Sequence, residues 1–283
     1  MAKKKIVFQG ELGANSDLAA RKAYPTYEPV PARTFEDCFV ALSKGQVDLG
    51  MIPIENSIAG RVADIHHLLP DAGLHIVGEY FMPVHHQLLA PKGASLATIK
   101  TVESHVHALG QCRKIIRKLK LKAVVSADTA GSAREVSEAG DITRASIATS
   151  LAAKIYGLKT LERDIEDEVH NTTRFVVLSR NQSWASVDTK RVVTSFVFQV
   201  RNIPAALYKA LGGFATNGIN MTKLESYMIG GSFSATQFYA DVEGHPKHPA
   251  LARALAELEF FCRKDTLRIL GVYPAHPFRK TLD

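Results

Sequence analysis

The segment HNTTRFVVL, residues 170–178, has two threonines and an arginine at the start of an apolar run. Val176, Val177 and Leu178 predict a buried strand. Arg174 lies close before them, and an arginine is costly to bury without a partner. From the residues alone two interpretations stay open. Either Arg174 closes an internal ion pair, or it meets an anionic ligand beside a threonine hydroxyl.

Other polar residues fall where strands are predicted to end or helices to begin. In MIPIENS, three of them follow an apolar run, at the carboxyl end of a strand, where open α/β sheets bind ligands. Ser104 is predicted at a strand-to-helix junction. The segment HALGQCRKIIRKL predicts one helix, and Gln111 returns to the same face of that helix as Ser104, because seven residues are close to two turns. The whole set comprises Glu55, Asn56, Ser57, Ser104, Gln111, Thr129, Thr172, Thr173 and Arg174.

Members of this set also have purely structural interpretations. Ser104 and Thr129 are of the residue types that cap helices, and Gln111 can face solvent. Glu55 can pair with Arg174 as a structural bridge. Apart from Glu55, however, the set consists of neutral hydrogen-bonding residues and one arginine, which suits a small polyanion. We therefore predict an anion-binding site.

The elements that must position these residues change their order along the chain. Up to about residue 178, short β-rich runs alternate with amphipathic helical patterns, which predicts parallel α/β sheets with helices on both faces. The polar segment 179–190 predicts a linker. Beyond it, the order β-α-β-β-α-β predicts an α+β ferredoxin-like domain. Pro204 is expected in the first turn of its first helix, and Gly230-Gly231 in a hairpin.

Composition limits the partners and the compartment. The 35 Lys and Arg residues against 28 Asp and Glu give a net charge of +7, which suits an acidic ligand. The basic residues are scattered, so we expect no nucleic-acid partner. Three cysteines far apart in sequence favour a reducing cytoplasm over a disulfide framework. No segment approaches the roughly 18–20 apolar residues of a membrane span. We expect a cytoplasmic protein with no membrane partner.

The usual cofactor and metal motifs are not found in the sequence. GELGAN has two glycines after a strand but lacks the third glycine of a dinucleotide fingerprint, and no Walker lysine follows it. The adjacent histidine pairs 66–67 and 85–86 lack the spacing of a helical metal pair. His105 and His107 can share one face of a strand, but no third ligand is near them in sequence. We predict neither a cofactor nor a metal.

With PIENSIAG, ESHVHALGQC, NTTRF and KLESYMIGG, the chain resembles the prephenate dehydratases of the bacterial two-domain type over nearly its whole length. The resemblance implies a catalytic part of two α/β lobes, like those of type II periplasmic binding proteins, with the active site in the cleft between the lobes. It also implies a C-terminal ACT domain that senses phenylalanine. The implied bounds are 1–181 for the catalytic domain (lobe 1 about 1–79 and 159–181, lobe 2 about 80–158), 182–191 for the linker and 192–276 for the ACT domain.

The implied reaction is the decarboxylating dehydration of prephenate to phenylpyruvate in L-phenylalanine biosynthesis, a hydro-lyase reaction without a cofactor. Thr173 would donate a proton to the departing hydroxyl, and Arg174 would hold a substrate carboxylate. Val106 stands where the family usually has proline. The resemblance implies Thr173, Arg174, Asn56, Ser104 and Gln111 as catalytic residues, and Glu55, Ser57, Thr129, Thr172 and Phe175 as substrate-binding residues.

Regulation by phenylalanine and a homodimer or homotetramer, formed through the ACT and catalytic domains, are implied too. The effector positions are Pro204, Ala205, Ala206, Leu207, Asn220, Glu225 and Ser226. Ala205 replaces a family glycine and Tyr227 a family arginine, so the identity of the effector stays open. Two alternatives to the implied function also stay open: an arogenate dehydratase, and a non-catalytic amino-acid-sensing protein.

Overall fold

The computed structural model of the chain describes residues 3–229 and 232–281, and the predicted Gly230-Gly231 hairpin lies outside these residues. The strands are β1 (Lys5–Gln9), β2 (Glu28–Ala32), β3 (Leu49–Asn56), β4 (Gly60–Arg61), β5 (His75–Pro83), β6 (Gln87–Ala90), β7 (Thr101–Ser104), β8 (Lys122–Val125), β9 (Arg144–Ala148), β10 (Lys159–Glu162), β11 (Thr172–Ser179), β12 (Val192–Gln199), β13 (Met221–Ile229), β14 (Ser232–Glu243) and β15 (Arg268–Pro274).

The helices are α1 (Asn15–Ala23), α2 (Phe35–Ser43), α3 (Ala63–Leu68), α4 (Val106–Gln111), α5 (Arg113–Lys118), α6 (Thr129–Ala139), α7 (Ser150–Tyr156), α8 (Ala206–Thr216) and α9 (Pro249–Phe261), with 3₁₀ turns at Leu69–Asp71 and Pro277–Thr281. Across the two described ranges, every helix is too short or too polar to cross a lipid bilayer.

The first of two compact units comprises residues 1–41, 47–62 and 81–175. Its first sheet has β1 between β2 and β3, all parallel, and β11 lies next to β3. Its second sheet has the order β10-β6-β9-β7-β8. In that sheet β7 is parallel to β8 and β9, whereas β6 is antiparallel to β9 and β10. The predicted α/β class is confirmed, but the second sheet is mixed rather than parallel.

Strand β2 has the sequence EPVPA, and its two prolines argue against a strand in a sequence analysis. It forms at the edge of the first sheet, where only one side of a strand needs hydrogen-bond donors. Glu28 N donates to Lys4 O at 2.8 Å, and Gly10 N donates to Ala32 O at 2.8 Å. Pro29 and Pro31 alternate with the bonded residues, so their missing N–H groups cost the edge nothing.

The segment predicted as one helix over HALGQCRKIIRKL is two helices, because the backbone leaves helical geometry at Cys112 (φ −124°, ψ 28°). A distant carboxylate stabilises the second start. Arg113 N and Lys114 N, the first two N–H groups of α5, each donate to Asp167 at 3.0 Å. Asp167 therefore caps α5 from 53 residues away.

The second unit comprises residues 42–46, 63–80 and 176–283. Its strands have the order β13-β14-β12-β15-β5, with β12 antiparallel to β14 and β15. Helices α8 and α9 pack on this sheet through a core that includes Phe196, Phe198, Phe214 and Leu258. The order β12-α8-β13-β14-α9-β15 is the predicted β-α-β-β-α-β order. Residues 180–191 contain no helix or strand. The domain bounds stay a prediction.

Helix α8 begins at Ala206, so Pro204 lies before the N-cap and not in the first turn, where it was expected. Its N-cap is Ala205, which has left-handed backbone angles (φ 59°, ψ 22°). A side chain with a Cβ atom is disfavoured there, and glycine is the residue that normally adopts this conformation.

Candidate active site

The end of β3 and the start of β11 are held together by Ser57 and Thr172. Ser57 N donates to Thr172 O at 2.9 Å, and Thr172 N donates to Ser57 Oγ at 2.9 Å. The Ser57 hydroxyl donates its proton to His170 O at 2.6 Å. The Ser57 hydroxyl, predicted to contact a substrate, is therefore occupied by backbone hydrogen bonds. Ser57 fixes the position from which β11 starts.

Asn56 is the centre of a side-chain network. Its Oδ1 accepts hydrogen bonds from Ile58 N at 3.0 Å and Ala59 N at 2.8 Å. Because a backbone N–H can only donate, the atom facing these two groups must be the amide oxygen. The amide nitrogen then donates to Asn171 Oδ1 at 2.7 Å and to Thr173 Oγ1 at 2.9 Å. The orientation of this amide is fixed by the backbone.

Thr173 accepts the Asn56 hydrogen bond through its hydroxyl oxygen. The hydroxyl proton takes no part in that bond, and among the residues described it has no acceptor. The Thr173 side chain is half-buried at the start of β11. This geometry leaves the proton available for donation to a ligand.

The network continues to α4 of the same unit. Asn171 Nδ2 donates to Gln111 Oε1 at 2.7 Å, and His86 Nε2 lies 3.0 Å from the same oxygen. Asn171 and His86 are both almost fully buried. Asn56, Gln111 and Thr173, predicted from the sequence, are thus joined by two residues that the sequence analysis missed. The place of Asn171 directly before the TTRF motif was the available indication, whereas His86 was set aside with its neighbour.

Arg174 is 3% exposed, and its Nη1 lies 2.9 Å from Glu55 Oε1, whose side chain is 31% exposed. The guanidinium carbon also lies 5.8 Å from the centre of the Phe81 ring. The ion pair considered from the sequence is therefore present. A guanidinium has five N–H donors, so this pair does not by itself exclude an anionic ligand.

Three further predicted site residues, Ser104, Thr129 and Phe175, make none of the hydrogen bonds described above. Ser104 is fully buried, and its hydroxyl donates to Ile147 O at 2.6 Å. Thr129 is half-buried as the first residue of α6. Phe175 is 1% exposed in the hydrophobic core, so the structure differs from its expected substrate-binding role. Ser104 and Thr129 do not cap helices either, because His105 and Asp128 are the N-caps of α4 and α6.

Burial determines the protonation of the site. Desolvation lowers the pKa of His86, although the hydrogen bond to Gln111 and the nearby Glu166 carboxylate act in the opposite direction. His86 is therefore neutral near pH 7. Desolvation raises the pKa of the Cys112 thiol, so that Cys112 remains a thiol and is not an activated nucleophile.

One cluster in the described ranges could hold a metal ion: ligand atoms of His85, Asp164 and Glu166 lie within 4.8 Å of one another. His85 Nδ1 lies within hydrogen-bond distance of Glu166 Oε1, at 2.8 Å, and 3.8 Å from Asp164 Oδ1. The sequence spacing of His85 gave no indication of this cluster. His105 and His107 lie at the start of α4 rather than on a strand.

In the second unit, a pocket of about 260 Å³ is lined by Val200–Ile203, Ala205–Tyr208 and Phe238. Of the predicted effector residues, it includes Ala205, Ala206 and Leu207. Pro204, Asn220, Glu225 and Ser226 are not among its lining residues. Asn220 Nδ2 donates to Glu243 Oε2 at 3.2 Å, and Glu225 pairs with Lys223 at 3.1 Å. Tyr227 is 7% exposed, and its ring packs beside His66 and His67.

Comparison with known proteins identifies the family. The family model described as prephenate dehydratase matches residues 6–183. The chain is 52% identical to a bifunctional N-acyl-homoserine lactone acylase/prephenate dehydratase of Komagataeibacter europaeus, over 97% of each chain. It is 38% identical to arogenate dehydratase/prephenate dehydratase 2 of Arabidopsis thaliana, over 95% of this chain and 72% of the relative.

A solved structure of a prephenate dehydratase from Arthrobacter aurescens, in complex with L-Phe, is also similar. Its TM-score is 0.87 at 28% sequence identity, over 96% of this chain and 90% of that chain. The family match covers more than half of the chain, and the similarity to these relatives extends along nearly all of it. The chain therefore belongs to the prephenate dehydratase family, whose members are hydro-lyases.

Proposed function

We propose that this chain converts prephenate to phenylpyruvate. One observation carries the proposal: Asn56 donates to the Thr173 oxygen, and so the Thr173 proton is left for a departing hydroxyl. A threonine hydroxyl is a weak acid, so it can act only on a group that is already leaving as hydroxide. Aromatisation of the prephenate ring supplies the driving force for that departure.

The bonds and charges of the proposed step balance. The bond between the ring and its carboxylate breaks, and carbon dioxide leaves. The electron pair of that bond enters the ring, and the bond between the ring and its hydroxyl oxygen breaks. The departing hydroxide takes the Thr173 proton and leaves as water. Solvent then returns a proton to Thr173, and no electrons are exchanged with a partner.

Arg174 is proposed to hold one substrate carboxylate. Its Nη1 is paired with Glu55, and the exposed fraction of Glu55 allows this carboxylate to move toward solvent. A substrate carboxylate then takes the place of Glu55 at a guanidinium that is already positioned. Gln111 Nε2, which has no acceptor in the described part of the chain, is assigned to the second carboxylate.

The test is a cofactor-free assay of phenylpyruvate formation from prephenate, with wild type, Thr173→Ala and Thr173→Ser. General acid catalysis is worth about 10²–10⁴-fold, so Thr173→Ala should lower kcat by that factor with little change in KM. Thr173→Ser retains the hydroxyl and should retain most of kcat. Arg174→Leu should mainly raise KM. Equal kcat for wild type and Thr173→Ala would remove Thr173 from the mechanism.

The neighbouring substrate is arogenate, which replaces the keto group of prephenate with an amine. The Arabidopsis relative is named for both substrates. None of the network residues carries a charge that would separate a keto group from an ammonium group. Values of kcat/KM for both substrates, measured on one preparation, assign the preference.

A second candidate activity comes from the relative that is 52% identical over 97% of each chain, which is named an N-acyl-homoserine lactone acylase as well. We propose amide hydrolysis of N-acyl-homoserine lactones as a second activity of this chain. Release of homoserine lactone by the wild type, absent from a heat-inactivated sample, would support it. If Thr173→Ala loses both activities, they share one site.

Phenylalanine is proposed as an effector, with the 260 Å³ pocket beside Ala205–Leu207 as its site. The similar Arthrobacter structure is named as a complex with L-Phe. Phenylalanine should change the dehydratase rate, and calorimetry should detect its binding. Binding without any dehydratase activity would instead favour the non-catalytic sensor. Light scattering with and without phenylalanine would test the predicted homodimer or homotetramer.

A further inference from the structure

We propose that His86 is a positioning residue that fixes the Gln111 amide, so that the amide nitrogen of Gln111 points to the substrate. The proposal rests on the proposed dehydratase function for its kinetic test, but its structural test is independent of that function. His86 itself does not touch the substrate. It acts at one end of the hydrogen-bonded network that has Thr173 at the other.

The direction of every hydrogen bond in this network follows from the two backbone N–H groups that donate to Asn56. Ile58 N and Ala59 N donate to Asn56 Oδ1, so that Asn56 Nδ2 must be the donor toward Asn171 Oδ1. Asn171 then presents its nitrogen to Gln111, and the accepting atom of Gln111 is Oε1. Reversing any one amide would bring two donors or two acceptors face to face.

His86 supplies the last hydrogen bond of this series. Its Nε2 faces Gln111 Oε1 at 3.0 Å, and an oxygen that only accepts requires a proton on Nε2. Gln111 Oε1 then accepts two hydrogen bonds, one from His86 and one from Asn171, and both of its lone pairs are used. The two N–H groups of Gln111 Nε2 must therefore point away from the network.

The backbone holds His86 rigidly in this role. His86 N donates to Glu166 Oε2 at 2.9 Å, and Ile165 N donates to His86 O at 3.0 Å. Glu166 is itself held by His85 Nδ1 at 2.8 Å. The charged and titratable groups that act on the His86 ring are Glu166 and His85. Because the backbone N and O of His86 and its ring Nε2 are all hydrogen-bonded, His86 can hold one orientation of the Gln111 amide while the substrate enters and leaves.

The experiment compares His86→Leu, which removes the donor, with His86→Gln, whose Nε2 can occupy the place of the histidine Nε2. We expect His86→Leu to raise KM for prephenate about tenfold, the size of one neutral hydrogen bond, with kcat changed less than about threefold. His86→Gln should restore KM to within about threefold of wild type. His107→Phe, at an exposed histidine outside the network, is the matched control and should leave both constants unchanged.

A nuclear magnetic resonance measurement on ¹⁵N-histidine-labelled wild type at pH 7.5 tests the proposal without substrate. The His86 resonances, assigned by their loss in His86→Gln, should show a proton on Nε2, the donor that the hydrogen-bond geometry requires. A ring that carries its proton on Nδ1 and none on Nε2 would overturn the proposal. So would an unchanged KM in a folded His86→Leu protein. If His86→Leu does not fold, the tautomer decides. If wild type does not convert prephenate, the proposed function fails while the tautomer still decides the role of His86.

Discussion

Asn56→Asp replaces one amide nitrogen by an oxygen and changes the shape of the side chain very little. In the wild type this nitrogen donates to Asn171 Oδ1 at 2.7 Å and to Thr173 Oγ1 at 2.9 Å. A carboxylate can only accept, so Thr173 must turn its own proton toward residue 56. The proton proposed to reach the departing hydroxyl is then used inside the protein, although Thr173 itself is intact.

The expected loss in kcat is the contribution of the general acid. A factor of about 10²–10⁴ in kcat corresponds to about 2.7–5.4 kcal/mol of activation free energy at 1.36 kcal/mol per tenfold. Stability should change less, because the introduced carboxylate can still accept from Ile58 and Ala59, and Thr173 keeps its hydrogen bond in the reversed direction. We expect the free energy of unfolding to fall by about 1–2 kcal/mol, the size of one or two rearranged hydrogen bonds.

The assay is phenylpyruvate formation under saturating prephenate, with unfolding in urea measured on the same preparation. Asn181→Asp makes the same chemical change at an exposed residue and should keep the wild-type kcat. In Asn56→Asp the whole network should reverse, and the His86 proton should move from Nε2 to Nδ1. A folded Asn56→Asp protein whose kcat stays within about threefold of wild type would refute the reasoning.

Three further predictions concern stability and metal dependence. Ala205→Gly should raise the free energy of unfolding by up to about 1 kcal/mol. The left-handed conformation costs an alanine about 1–2 kcal/mol, and the larger conformational entropy that glycine loses on folding offsets part of this gain. A less stable variant would contradict the assigned backbone angles. The pKa of His86 in the folded protein lies below its unfolded value of 6.5, so the unfolded state binds more protons as the pH falls below 6.5. Wild type should therefore lose stability in that range relative to His86→Gln. Urea unfolding of both proteins from about pH 5 to 7.5 would check this. Removal of divalent metals with EDTA should leave the dehydratase rate unchanged; a loss of rate restored by added metal would assign the cluster of His85, Asp164 and Glu166 a role.

The sequence predicted best those parts of the site that local patterns determine. A buried run that ends in Asn56, and another that begins at Thr173, place both residues at strand ends, and β3 and β11 are neighbours in the first sheet. The α/β class and the β-α-β-β-α-β order followed from strand and helix periodicity in the same way. The residues that join these parts of the site could not be found from local sequence patterns. Asn171 bonds Asn56 across 115 residues and Gln111 across 60, and no local pattern records such a pairing.

The differences from the sequence predictions have the same origin. The helix over residues 106–118 is broken because Asp167, far along the chain, caps its second half. Ser104 is of the right type and in the right place for a donor, yet the carbonyl of Ile147 on the adjacent strand takes its proton. Phe175 belongs to the motif, but it is 1% exposed and begins a fully buried apolar run, so its ring is not available to a ligand. Sequence periodicity locates an element, whereas tertiary neighbours decide which of its polar atoms remain available.

Neutron diffraction from a deuterium-exchanged crystal would locate the hydrogens on which the mechanism depends. We predict that both exchangeable hydrogens of the Asn56 side chain sit on the nitrogen that faces Thr173 and Asn171, and that the Thr173 hydroxyl deuteron points elsewhere. A Thr173 deuteron directed at Asn56 would contradict the mechanism, since the supposed acid would then have no proton to give.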